Sequence, residues 1–299
     1  MFKVWQNSSI FDTHIINHPM TSDKKLAVFV RDGRFLDDIR YTRLETGLRA
    51  LGYSLYPVRC PSDIVPGTGM ILSVGGDGTF LSAATVAGMD GIPVLGVNFG
   101  RLGFLSENSP EDICSALASG EYEVEKRTML HAGFIRGEIP PQIAPWPYAL
   151  NEFTVHRSGA ATLGVTVSID GNSLPVYWSD GLLVATSSGS TAYSLSVGGP
   201  IVLPESSVLI ISPISPHNLN VRPLVVPDSS VIEIGFVSRD SRVLFTADNR
   251  NAEIGAGSSI RISRAPFPLN RIRLEGSNFI NALTGKLFWG EDIRNGNNQ

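Results

Sequence analysis

The pattern of apolar residues changes character partway along this 299-residue chain, and that change limits the fold more than any other feature. Up to about residue 125, short apolar runs alternate with segments of helical spacing. Residues 26–30 (LAVFV), 53–58, 70–74 and 93–98 read as strands. Residues 37–51 carry Ile39, Leu44, Leu48 and Leu51 at mostly helical spacing, with Gly52 as a stop, and 79–87 reads as a second helix. Ser109-Pro110-Glu111-Asp112 is a helix start, with a hydroxyl at the cap, proline in the first turn and acids at the positive end of the dipole. Strands alternating with helices predict a parallel sheet covered on both faces.

A proline-rich loop, 139–147, ends that pattern. Beyond it, short segments alternate like half-buried strands: 163–169 with Val165, Val167 and Ile169 on one face, then 231–237, 242–246 and 260–263, with a turn at Asp170-Gly171-Asn172. Many short strands with Gly and Pro turns predict a β-sandwich-like domain. The expected fold is an α/β N-terminal domain plus a β-sandwich-like all-β C-terminal domain, the C-terminal segment returning to the N-terminal one. The expected boundaries are an extension at 1–22, the α/β domain at 23–125, the β-rich domain at 126–276 and the returning, partly helical segment at 277–299.

Composition removes other classes. Charged residues are 17% and hydrophobic ones 42%, which excludes a disordered chain or a coiled coil. The net charge of −4 leaves no basic footprint for nucleic acid. The longest uncharged stretch, 181–204, is full of Ser, Thr and Gly and is no membrane span, and 1–22 lacks the pattern of a signal peptide. The expected setting is cytoplasmic, with no membrane partner. Cys60 and Cys114 stand outside any Cys-x-x-Cys unit and read as two small buried thiols.

The sharpest local motif is Gly75-Gly76-Asp77-Gly78-Thr79, between an apolar strand and a helix. Glycines allow a tight turn and a close ligand approach, and N–H groups at a helix start favour phosphate. A carboxylate among those donors repels phosphate, and its presence makes sense if the site must also accept a proton from a hydroxyl or hold Mg²⁺. Phosphoryl transfer needs both functions. The alternative is a turn whose Asp only caps the next helix. No Walker-type loop is present, and Leu81 stands where a dinucleotide fingerprint needs its third glycine. Asn151-Glu152 offers a donor and several acceptors, suited to a ribose diol or an adenine edge, or is simply a strand-edge turn. Asp180-Gly181 and the Ser/Gly-dense run 187–200 suit a pocket where a flat polar ligand meets backbone, with Tyr193 able to stack on a ring.

Together these residues resemble the NAD kinase family, from about residue 26 to 295. The blocks are Gly75–Thr79, residues 96–105 (GVNFGRLGFL), Asn151-Glu152, Asp180-Gly181 with 189–200, and 212–217 with Arg222-Pro223. The resemblance implies an α/β and a β-rich domain with NAD between them. It implies transfer of the γ-phosphoryl of ATP, with a divalent metal such as Mg²⁺, to the 2′-hydroxyl of the adenosine ribose of NAD. Asp77 would be the proton acceptor. Gly75, Gly76, Gly78 and Thr79 would form the phosphate loop, with Asp77 and Gly78 also touching NAD. Asn151 and Glu152 would hold the ribose and diphosphate region, and Asp180 the nicotinamide riboside end. Thr191, Ala192 and Tyr193 would pack around the adenine, with Ser194, Leu195 and Ser196 alongside and Phe104 as a wall. The family forms homodimers or homotetramers.

Three positions depart from the family pattern. Ser187 replaces a usual proline, Trp178 stands where a basic residue is frequent, and a late turn is written Asp248-Asn249-Arg250, whose Arg250 could reach a phosphate. A lipid kinase shares the glycine-Asp signature but lacks the context of Asn151-Glu152 and Thr191-Ala192-Tyr193. A non-catalytic NAD sensor would gain nothing from Asp77.

Overall fold

The computed structural model describes residues 24–100 and 103–287; the expected extension at 1–22, and residues 288–299 of the returning segment, lie outside them. The first part of the chain lays down β1 (Lys25–Val30), α1 (Ile39–Ala50), β2 (Ser54–Val58), β3 (Thr68–Val74), α2 (Asp77–Ala87), β4 (Val94–Val97), α3 (Pro110–Ser119) and β5 (Tyr122–Arg127). β1 to β4 are parallel, in the order β2-β1-β3-β4. Alternation along β1 sends Leu26 and Val28 to the face covered by Tyr41, Leu44 and Leu48 of α1 and Ile113 and Leu117 of α3. Ala27 and Phe29 go to the other face, against Phe80, Ala83 and Ala84 of α2. Burial on both faces is why LAVFV reads as one apolar run. The strand order reverses between β1 and β3, and ligands of such sheets bind beyond the strand carboxyl ends at that point. The turn 75–78 follows β3 there.

The chain then forms β6 (Leu130–Arg136), β7 (Tyr148–Ala149), β8 (Glu152–Arg157), β9 (Leu163–Ile169), β10 (Asn172–Ser173), β11 (Tyr177–Ser179), β12 (Gly181–Thr186), the short α4 (Tyr193–Ser196), β13 (Val208–Ile214), β14 (Leu224–Pro227), β15 (Ile232–Val237), β16 (Arg242–Ala247), β17 (Arg250–Gly255) and β18 (Ser259–Arg264). One antiparallel sheet runs β10-β9-β15-β18-β6-β7, with β11 on β9; the other runs β14-β13-β12-β8-β16-β17. Their facing sides enclose a core that includes Phe153, Val155, Val165, Leu182, Val184, Ile211 and Phe245. The outer face of the second sheet, through Leu183, Ala185 and Ile210, is covered by Val197 of the Ser/Gly-rich segment and Val202 just after it. That segment is therefore packed rather than loose. Asp170 and Gly171 take φ of 52° and 81°, the left-handed pair that a two-residue hairpin between β9 and β10 requires.

The chain re-enters the first sheet at β19 (Leu269–Leu274), ahead of residue 277, where the sequence places the return. β19 pairs parallel with β4 and antiparallel with β5, and α5 (Phe279–Leu287) follows. Two arginines in LNRIRL conceal a strand that lies inside a sheet. Cys60 also differs from expectation: it is exposed, at the N-terminal end of a 3₁₀ turn after β2, while Cys114 is partly buried against Leu44 of α1. No helix among the described residues is long and apolar enough to cross a membrane.

Candidate active site

The glycine turn opens α2 with Gly76 at the N-cap. Gly75 has φ of +148°, and a Cβ there would lie 2.5 Å from Thr79 Oγ1, so only glycine lets the Thr79 side chain tuck beneath the turn. Thr79 is thus buried in support of the loop. Gly76 and Gly78 face open space, with nothing within 4 Å of an added Cβ. This is the side from which a ligand can approach the amides of the helix start.

Asp77 does not cap its own helix. Its carboxylate turns to the loop after β4, where Oδ2 accepts from the Phe104 amide at 2.9 Å. Oδ1 accepts from Leu105 at 3.1 Å and Ser106 at 2.9 Å. The loop closes so tightly that a Cβ on Gly103 would fall 1.9 Å from Asp77 Oδ1. The same loop is held from behind by Arg271 of β19, 2% exposed, which bonds the Leu105 carbonyl at 3.4 Å and pairs with Glu107 and Glu125. Phe104 is fixed against Phe279 of α5, ring centres 5.8 Å apart.

A chain of contacts leads from this turn to the second sheet. Asn249, in the turn between β16 and β17, donates to the Gly78 carbonyl at 3.3 Å and to Ser82 Oγ at 3.1 Å. Its neighbour Asp248 is half-buried and accepts from the amides of Leu150, Asn151 and Glu152 at 2.9, 2.8 and 3.2 Å. Burial pushes the Asp248 carboxyl up, opposed by those three amides. Asn151 and Glu152 are therefore set in place by a carboxylate at the start of β8. Gly189 packs onto them, since a Cβ there would meet the Asn151 carbonyl at 2.2 Å.

Asn151 Oδ1, Glu152 Oε2, Ser188 Oγ and Ser194 Oγ are buried with no protein partner. Each such group costs about 1–3 kcal/mol unless something pairs with it, so their grouping marks a polar ligand site. Burial, with the neighbouring Asp248 charge, pushes the Glu152 carboxyl up to about 8, against the Tyr193 amide hydrogen bond. Tyr193, 37% exposed, lies flat on the His156 ring at 5.8 Å and 20°. Burial lowers the His156 imidazole, opposed by Asp180. Asp180 lies at the start of β12, paired with Arg157 at 2.6 Å.

The structure thus gathers Asp77, Gly78 and Phe104 around the glycine turn. Asn151, Glu152 and Tyr193 lie together, with Ser194 and Asp180 beside them. Thr191 and Ala192 are half-buried before α4, and Leu195 is half-buried and Ser196 exposed within it. Arg250 is not free for a phosphate: its guanidinium bonds the carbonyls of Trp146 and Tyr148, and burial lowers its pKa. The roles of His156, Asn249 and Arg271 escaped the sequence reading, because their partners lie 37 to 171 residues away, on other elements.

Two family models match the chain: the ATP-NAD kinase N-terminal domain over residues 64–122, and the ATP-NAD kinase C-terminal domain over residues 150–274. An NAD kinase of Flavobacterium psychrophilum is 42% identical over 231 residues, covering 76% of this chain and 78% of that protein. This chain belongs to the NAD kinase family. An NAD kinase of Porphyromonas gingivalis is 41% identical over 228 residues, covering 75% and 77%. Among solved structures, an NAD kinase from Archaeoglobus fulgidus in complex with ATP superposes with a TM-score of 0.70 at 27% identity, covering 88% of this chain and 97% of that one. Yeast NADH kinase complexed with NADH shares the fold, with a TM-score of 0.76 at 22% identity, covering 91% and 89%. The α/β and β-rich architecture expected from the sequence is the architecture of these NAD(H) kinases. The matched segments hold Asp77, Phe104, Asn151, Glu152, Asp180 and Tyr193.

Proposed function

We propose that this chain is an NAD kinase that transfers the γ-phosphoryl of ATP to the 2′-hydroxyl of the adenosine ribose of NAD, with Asp77 accepting the proton. The observation that carries this reading is the link between the two parts of the chain: Asn249 ties the glycine turn to the Asp248-held pair Asn151-Glu152, whose buried Oδ1 and Oε2 have no protein partner. A carboxylate has about four lone-pair positions. Three amides use both positions on Asp77 Oδ1 and one on Oδ2. The position left on Oδ2 is the one a ribose hydroxyl can address.

The N-terminal amides of α2, beside Gly75, Gly76 and Gly78, receive the triphosphate. Glu152, neutral at pH 7, meets ribose and diphosphate without repelling them, and Asn151 adds a donor and an acceptor. Tyr193 and Phe104 flank the adenine, with Thr191, Ala192, Leu195 and Ser196 around it, and Asp180 takes the nicotinamide riboside end.

Among the described residues, no cluster of three or more His, Cys, Asp or Glu could hold a metal ion. A divalent cation such as Mg²⁺ would be the counter-ion of the triphosphate, held by phosphate oxygens and water. When bound, it supplies charge neutralisation on the transferring group. A homodimer or homotetramer in the cytoplasm completes the reading. The test is incubation with NAD, ATP and Mg²⁺, read by an NADP-specific dehydrogenase. NADP should accumulate; a lipid hydroxyl phosphorylated in its place, or tight NAD binding without turnover, overturns the proposal.

A further inference from the structure

α5 buries Ala282 and Leu283 and seats Phe279 on Phe104. This docking delivers Lys286 to the glycine turn. Its Nζ lies 3.6 Å from Asp77 Oδ2 and 4.3 Å from the centre of the Phe104 ring. The side chain is 32% exposed, and a pair at such exposure adds little to stability. At 3.6 Å it makes no full hydrogen bond, so the one lone-pair position left on Oδ2 stays open with an ammonium beside it.

That placement answers a problem of charge. A carboxylate that serves as base must sit close to the incoming phosphoryl group. Two like charges that close repel each other strongly at the effective dielectric of a protein surface. An ammonium beside both removes the repulsion and stabilises the charge spread over the equatorial oxygens of the transferring group. The open faces of Gly76 and Gly78 give the triphosphate room to reach it.

We propose that Lys286 is a further catalytic residue of this site, meeting the phosphoryl group in transfer. The proposal rests on the NAD kinase reading above. As the ribose hydroxyl takes its place on Asp77 Oδ2, the Lys286 ammonium turns to a γ-phosphoryl oxygen. The hydroxyl proton passes to Asp77, the hydroxyl oxygen bonds to the γ-phosphorus, and the bond from that phosphorus to the β–γ bridging oxygen breaks. ADP leaves with the electron pair.

The test is steady-state kinetics of the full chain with Lys286→Met, which keeps an apolar stem over Phe104, and Lys286→Arg, which keeps the charge. Lys286→Met should lower kcat by about 10²-fold. Its KM for NAD should stay within about twofold and its thermal midpoint close to that of the unaltered protein. Lys286→Arg should recover much of the lost kcat. Two results overturn the proposal while the unaltered protein still makes NADP: an unchanged kcat in Lys286→Met, or a loss of kcat that follows a loss of stability and is not restored by arginine. An unaltered protein that makes no NADP overturns the parent reading instead.

Discussion

Glu152 gives the account its most quantitative test. Its side chain is buried at the start of β8, with Oε2 unpartnered and Asp248 nearby, and the carboxyl titrates at about 8 against an ordinary 4.5. The folded protein therefore holds a proton that the unfolded chain releases above about pH 4.5. For a group raised in this way, the stabilising contribution is complete below the unfolded value and is lost as pH climbs through the folded one. The loss runs at about 1.4 kcal/mol per pH unit, and over the full window from 4.5 to 8 it totals about 5 kcal/mol. Between pH 6 and 8 the share is about 2–3 kcal/mol. Glu152→Gln keeps the shape and removes the titration. Urea unfolding of both proteins at pH 6 and pH 8 isolates the term. The gap between them should move by about 2–3 kcal/mol in favour of the glutamine variant as pH rises. A gap that stays constant from pH 6 to 8 means that Glu152 is already ionised in the fold, and the neutral acid assigned to the diphosphate region is refuted.

Other consequences are equally direct. Gly103→Ala drives a methyl into Asp77 Oδ1, and displacing that carboxylate by about 1 Å should lower kcat on the order of 10²-fold; a wild-type kcat would show that Asp77 tolerates another position. Tyr193→Ala removes the ring stacked on His156 and should raise KM for NAD by about 3- to 10-fold, so an unchanged KM takes Tyr193 out of the pocket. Asn249→Ala cuts the tie between the glycine turn and the Asn151-Glu152 pair. It should cost about 1 kcal/mol in denaturant unfolding, and no change would mean that the two parts are joined by other contacts alone.

Elements whose signal is local were legible in the sequence. The doubly buried run of β1, the amphipathic spacing of α1 and the alternation of β9 all report a burial pattern that neighbours in sequence set by themselves. The glycine turn was legible for the same reason, since tight turn, helix start and carboxylate lie within five residues. What hid was long-range. Arg271 and Arg273 make β19 look like a polar loop, and only the acids Glu107, Glu123 and Glu125 brought from far away render them compatible with a sheet. Asp77 reads as a lone acid; its three amide donors come from a loop 27 to 29 residues on. Arg250 carries a charge that suits a phosphate, yet the carbonyls of Trp146 and Tyr148 claim it. A motif fixes which groups are present, and distant packing decides which of them remain free for a ligand.

The central claim is that Asp77, held by the loop from Phe104 to Ser106, serves a hydroxyl that attacks ATP. The initial rate of NADP formation from NAD and ATP, compared between the unaltered protein and Asp77→Asn, tests it most directly. The account predicts ready turnover by the first and a kcat lower by about 10²-fold or more for the second, with NAD still bound. Equal rates in the two proteins would contradict it.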